Sequence, residues 1–92
     1  MKVYLACFDI EDDKKRRRLS NLLLSYSERV QYSVFEITLR HDKALDELKK
    51  RCQKYVEPTD SLRFYWLPYD ARKGSFDIHG NSIATFPQAE IL

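Results

Sequence analysis

The most chemically suggestive segment of the chain is Asp9-Ile-Glu-Asp-Asp13, followed directly by Lys14-Lys15-Arg16-Arg17-Arg18. Four acids abut five cations. Cations at this density suit the phosphates of a polyanion, and arginine can hold a phosphate with two parallel hydrogen bonds. Carboxylates beside them suit a divalent metal acting on those phosphates. Asp9 is the sharpest candidate ligand. One carboxylate alone is a poor Mg²⁺ site, because the ion demands near-octahedral oxygen coordination. Asp9 can contribute if a second copy of the chain faces it across a two-fold axis, with phosphate oxygens completing the shell. Such a metal would polarise a phosphodiester and activate a water. The competing reading is a solvated helix face with local ion pairs, and an aspartate that caps a helix or ends a strand.

The other chemistry-bearing residues say less. His41 and His79 are lone and far apart in sequence. Cys7 and Cys52 have no metal or redox spacing and read as small core hydrophobes. They predict a reduced, cytoplasmic protein without a disulfide framework. Tyr65 and Tyr69 have the chemistry to stack on bases, although packing accounts for them as well. Leu62, Phe64 and Trp66 read as core or dimer interface.

The elements that must position Asp9 and the cations follow from periodicity. Residues 2–8 are β-prone and apolar in both alternating sets, which predicts a central strand covered on both faces and ending at Asp9. Asp12 or Asp13 can cap a helix over residues 13–25, with Leu19, Leu22, Leu23 and Tyr26 as its apolar stripe. Residues 29–39 are extended. Their apolar phase changes near 34–35, which requires either a bulge or a tight corner between two short strands. Asp42 is the expected cap of a second helix whose buried stripe is Ala44, Leu45, Leu48, Cys52, Tyr55 and Val56, stopped by Pro58. Leu62, Phe64 and Trp66 alternate in a further strand, ended by Pro68. A turn at Lys73-Gly74 leads to a last short strand over 75–79. The order β-α-β(β)-α-β-β predicts an α+β sandwich of the ferredoxin-like type. One domain spans 1–82, and the apolar tail 83–92 docks on its own sheet or on a partner.

The two predicted helices treat charge differently. The second has acids early and cations late, as the helix dipole prefers. The first carries five cations in its opening two turns, where the dipole disfavours them. Its i,i+4 like-charge pairs, such as Lys14 with Arg18, each cost about 0.2–0.5 kcal/mol. A local conflict of this kind marks a candidate functional surface.

Bulk properties bound the answer. With 92 residues and 43% hydrophobic content, the chain makes one small domain rather than a disordered segment. Its core is thin, so a dimer would help. The longest apolar run, Val3 to Phe8, is too short for a membrane span. The net charge of +2 hides an asymmetry: residues 1–56 hold 13 Lys/Arg against 9 Asp/Glu, whereas residues 57–92 hold 3 against 5.

Two stretches carry a resemblance: Phe8-Asp-Ile-Glu-Asp-Asp-Lys-Lys-Arg-Arg-Arg-Leu19, and Tyr26-Ser-Glu-Arg-Val-Gln-Tyr-Ser-Val-Phe-Glu36. Together they resemble the CRISPR-associated endonucleases of the Cas-two family. The resemblance implies a ferredoxin-like βαββαβ homodimer with sheets packed together and an additional short C-terminal strand. In it Asp9 is the catalytic residue and metal ligand, facing its mate across the interface. It further implies cleavage of RNA or double-stranded DNA with Mg²⁺ or Mn²⁺, and a partnership with the CRISPR integrase (Cas-one) during spacer acquisition. The nucleic-acid-binding positions are then Lys14, Lys15, Arg16, Arg17, Arg18 and Arg29, with Phe8, Ser33 and Phe35 supporting the site. Many members have Tyr where this chain has Phe8, so a phenolic hydroxyl is missing here. The alternatives are a DNA-binding scaffold without catalysis, or a toxin-like ribonuclease of the related virulence-associated D family. A generic RNA-recognition module would need a Lys/Arg-Gly-Phe-type motif, which the chain lacks.

Overall fold

The alternation along the first strand decides the architecture. The computed structural model describes residues 1–84, apart from the side chains of residues 28–30. Its elements are β1 (Lys2–Asp9), α1 (Asp13–Leu24), β2 (Ser27–Gln31), β3 (Val34–Leu39), α2 (Asp42–Gln53), β4 (Ser61–Trp66) and α3 (Tyr69–Lys73). The strands form one antiparallel sheet in the order β2-β3-β1-β4. This is the ferredoxin-like arrangement. β1 is central, as expected, and its helix-facing residues Ala6 and Phe8 join Phe35, Ile37 and Leu39 of β3 in the core. Leu19 and Leu23 of α1, with Leu48 and Cys52 of α2, complete that core. Phe8 stacks on Phe35 with ring centroids 5.9 Å apart, and Tyr4 meets Phe64 edge-on.

The expectation that β1 is covered on both faces holds in part. Helices α1 and α2 cover one face. On the other, Val3 is buried at 1% exposure, Leu5 and Cys7 are half-buried and Asp9 is exposed. The neighbours on that open face are Val34, Glu36 and Thr38 of β3, and Arg63 and Tyr65 of β4.

α1 starts at the predicted place. The Asp12 carboxylate accepts from the Lys15 amide at 2.8 Å, which satisfies one of the open N–H groups of the first turn. Its end lacks a glycine. The hydroxyls of Ser25 and Ser27 instead donate to the carbonyls of Leu22 and Leu23. At α2 the expected Asp42 cap is replaced by His41, whose Nδ1 accepts from the Ala44 amide at 3.1 Å. An imidazole nitrogen can fill that role as an acceptor, and Asp42, one position inside, pairs with Lys2 instead.

The phase change near residues 34–35 has two causes. Tyr32 and Ser33 make a two-residue turn, and the register slips between Arg29 and Gln31. Neither turn residue has positive φ, so the turn lacks the twist of the favoured hairpin types, and a neighbouring bulge can restore it. α3 was not expected. It leads into the expected Lys73-Gly74 turn and starts behind Pro68, which suits a helix start. The last short strand expected over 75–79 is represented by one antiparallel bridge, Phe76 to Ser82. The domain boundary placed at residue 82 falls just before Ala84, which is buried. Most of the tail 83–92 lies outside the described residues.

Candidate functional site

Strand pairing sets Asp9 at the exit of the sheet. It pairs with Ser61 on the β4 side. On the β3 side the register ends with Cys7 opposite Val34, and the Phe8 amide donates to the Ser33 carbonyl at 3.1 Å. Two residues further along that register, Tyr32 falls level with Asp9. A cleft of about 460 Å³ opens here, lined by Asp9, Asp13, Arg16, Arg17, Ser20, Tyr32 and Ser33, with Phe8 and Ile10 at its apolar side. Asp9 and one part of the basic run therefore do meet. Ser33 lies on the cleft through the hairpin tip, Phe8 lines it from the core side, and Phe35 stacks on Phe8 within the core.

The five cations divide into two groups. Arg16 is half-buried and turned inward: Nη1 donates to the Ile10 carbonyl at 2.8 Å, and Nη2 pairs with Asp13. It braces the loop between β1 and α1, so its donors are committed inside the chain. Lys15 pairs with Glu57, and that hydrogen bond raises its pKa. Lys14, Arg17 and Arg18 are exposed and form no ion pair among the described residues. Of these, Arg17 lines the Asp9 cleft. The side chain of Arg29, also expected to bind nucleic acid, lies outside the described residues.

Two acids missed by sequence reasoning hold the loops in place. Asp60 accepts from the Glu11 amide at 3.2 Å and from the Glu57 amide at 2.9 Å, tying the β1–α1 loop to the α2–β4 loop. Glu57 anchors Lys15 from the same loop. The signal available was Pro58-Thr-Asp60, a turn in which an aspartate accepts backbone hydrogen bonds. Elsewhere on the open face, Arg63 Nη1 donates to the Tyr65 hydroxyl at 3.2 Å, which raises the guanidinium pKa further. His41 is a helix cap, and Asp77 accepts from the His79 and Asn81 amides, bonds with Asn81 that lower its pKa.

The donor set tests the metal expectation. Among the described residues no group of three His, Cys, Asp or Glu side chains converges as a metal site. Two carboxylates line the cleft: Asp13 is paired with Arg16, and Asp9 forms no ion pair among the described residues, so the residues present fit part of an Mg²⁺ or Mn²⁺ site and not a whole one. Among the described residues no helix is long and apolar enough to cross a membrane.

Comparison with known proteins places this geometry. The family model described as CRISPR associated protein Cas2 matches residues 1–73. A CRISPR-associated endoribonuclease Cas2 of Synechocystis is 42% identical, over 100% of this chain and 99% of its own length. A CRISPR-associated endonuclease Cas2 of Thermus thermophilus is 43% identical over 70% of this chain and 71% of its own. Among solved structures, a chain from a partial Cas6-RT-Cas1–Cas2 complex superposes with a TM-score of 0.85 at 41% identity, covering 94% of this chain and 100% of that one. Streptococcus pyogenes Cas2 superposes with a TM-score of 0.72 at 27% identity, covering 83% and 98%.

Proposed function

This chain belongs to the CRISPR-associated protein Cas2 family, and from that premise we propose that it acts as a homodimeric phosphodiesterase of CRISPR adaptation. The observation that carries the reading is the exposed Asp9 at the end of β1, sharing a cleft with the uncommitted Arg17 and bordering the half-covered face of the sheet. Half a metal site next to half-buried Leu5 and Cys7 is what a two-fold partner would complete. Asp9 from each copy would hold Mg²⁺ or Mn²⁺. When bound, the metal would polarise the scissile phosphodiester and lower the pKa of a water. Arg17 and Arg18, with Lys14, would hold the flanking phosphates of RNA or double-stranded DNA. A relative named endoribonuclease supports RNA as a substrate, and one named endonuclease supports nucleic-acid cleavage in general.

Wild-type protein and Asp9→Ala, assayed on RNA and duplex DNA with Mg²⁺, with Mn²⁺ and with chelator, test the proposal. Cleavage that depends on metal and falls at least about 100-fold in Asp9→Ala is expected, the scale set by losing a main source of transition-state charge stabilisation. Equal cleavage by both proteins rejects it.

A second role rests on a different surface. The similar chain in the partial Cas6-RT-Cas1–Cas2 complex supports a partnership with the Cas1-type integrase, in which the exposed cations hold prespacer DNA. Reversing Arg17 and Arg18 to Glu should then abolish spacer integration while Asp9→Ala leaves it intact. Integration that survives the charge reversal overturns this role.

A further inference from the structure

Just beyond Asp9 one peptide unit is gripped at both edges. The Ile10 carbonyl accepts from Arg16 Nη1 at 2.8 Å. The Glu11 amide, the other half of the same peptide, donates to Asp60 Oδ1 at 3.2 Å. A cation holds the oxygen and an anion holds the N–H, so both bonds are charge-assisted. The Ile10 side chain is buried in the core and pins the same residue from a third side. Upstream, Asp9 itself pairs with Ser61, the chain neighbour of Asp60. The path from the strand end to α1 is thereby fixed within two residues of the candidate metal ligand.

Asp60 is the jaw of this grip that comes from far along the chain. Its other oxygen, Oδ2, accepts from the Glu57 amide at 2.9 Å, and its own amide donates to the Glu57 carbonyl at 2.9 Å. The turn over 57–60 is closed on itself, and Pro58 within it has a restricted φ. The Asp60 carboxylate is half-buried and does not line the Asp9 cleft. It reaches Asp9 only through the backbone.

We propose that Asp60 is a positioning residue: with Arg16 it clamps the Ile10–Glu11 peptide and so holds the Asp9 carboxylate at a fixed place relative to Arg17 in the cleft. The inference rests on the phosphodiesterase reading above and adds a residue that sets its geometry. Partners that orient a reacting group from behind typically change activity about 10- to 100-fold, because a displacement of about 1 Å is enough to spoil a reactive alignment.

The full chain, Asp60→Ala and Asp60→Asn test this at a temperature where denaturation curves show each protein folded. Amide hydrogen exchange reads the clamp without any substrate. The Glu11 amide should exchange at least about tenfold faster in Asp60→Ala, while the core amides of β3 keep their wild-type rates. Cleavage of RNA and duplex DNA with Mg²⁺ reads the consequence. In Asp60→Ala kcat should fall about 10- to 100-fold and KM should stay within about twofold, because Lys14, Arg17 and Arg18 still meet the phosphates. Asp60→Asn keeps one acceptor oxygen and should fall between the two on both measures, and it carries the test if Asp60→Ala does not fold. A merely structural role would lower the folded fraction and leave the kcat of the folded protein unchanged. Wild-type kcat in folded Asp60→Ala overturns the proposal alone, as does a loss confined to KM or an unchanged Glu11 exchange rate. A wild type that cleaves neither substrate overturns the phosphodiesterase reading, and the positioning role with it.

Discussion

The two faces of the sheet answer the same alternation in opposite ways. On the helix side Ala6, Phe8, Phe35 and Ile37 are buried, and α1 and α2 close over them. On the other side Val3 is buried, Leu5 and Cys7 are only half-buried, and Arg63, Tyr65 and Asp9 remain exposed. One face is finished by the chain itself and carries its stability. The other is apolar enough to want a cover, and the carboxylate sits at its margin. In so small a domain stability and chemistry are therefore separated across a single layer of backbone, and substitutions on the two faces should have effects of different kinds.

The largest effect should come from the finished face. Phe35 is fully buried and stacks on Phe8, so Phe35→Ala should cost about 3–5 kcal/mol, the usual penalty for removing a core aromatic. Urea denaturation of the two proteins reads this directly. A cost below about 1 kcal/mol would mean that the core collapses around the gap and that this face is not the stabilising one.

The same division runs through the basic helix. Arg16 belongs to the finished side by virtue of its bonds to the Ile10 carbonyl and Asp13. Hydrogen bonds to charged groups contribute about 1.5–3 kcal/mol, so Arg16→Ala should lose stability on that scale. Arg17→Ala should stay within about 0.5 kcal/mol and instead lower the salt slope of nucleic-acid binding by about one. Denaturation and salt titration of both variants distinguish them. Interchanged results would show that Arg16 is the phosphate contact.

That division was not legible in the sequence. The core stripes, the ends of β1 and α1, and Asp9 with the cations beside it follow from period and composition. Periodicity reports which side chains share a face, so the three consecutive arginines read as equivalent. Only the path of the β1–α1 loop brings the Ile10 carbonyl within reach of one of them. The uneven cover of β1's second face, complete at Val3 and partial at Leu5 and Cys7, is hidden for a related reason. Apolar residues in both alternating sets say that both faces will be buried, and not whether the same chain does it. His41 went unseen as a cap because capping preferences favour Asp42. α3 went unseen because five residues are too few to show a helical period.

A smaller change on the open face probes the missing cover. Leu5→Glu places a charge among half-buried apolar side chains and should weaken self-association at least about tenfold, or about 1.4 kcal/mol. Sedimentation velocity across a concentration series measures it, with far-UV circular dichroism unchanged. Dimerisation that survives Leu5→Glu would move the interface elsewhere.

The two cysteines mark the two faces chemically, and theirs is the subtlest expected difference. Cys52 is 1% exposed within the core, and burial pushes its thiol up to about 11. Cys7 is half-buried on the open face. At pH 7.5 iodoacetamide should alkylate Cys7 in the native protein and Cys52 only as fast as the fold opens, because the thiolate is the nucleophile. Raising the protein concentration should slow alkylation of Cys7 alone if a second copy covers its face. The raised Cys52 value also has a signed consequence. The folded state holds this proton more tightly than the unfolded chain, so its contribution is complete below about pH 9 and is lost as the pH rises towards 11, by at most about 1.4 kcal/mol per unit. Cys52→Ala should remove that part of the alkaline decline. Peptide mapping after timed alkylation reads both rates, and a Cys52 that reacts as fast as Cys7 would erase the chemical distinction between the faces.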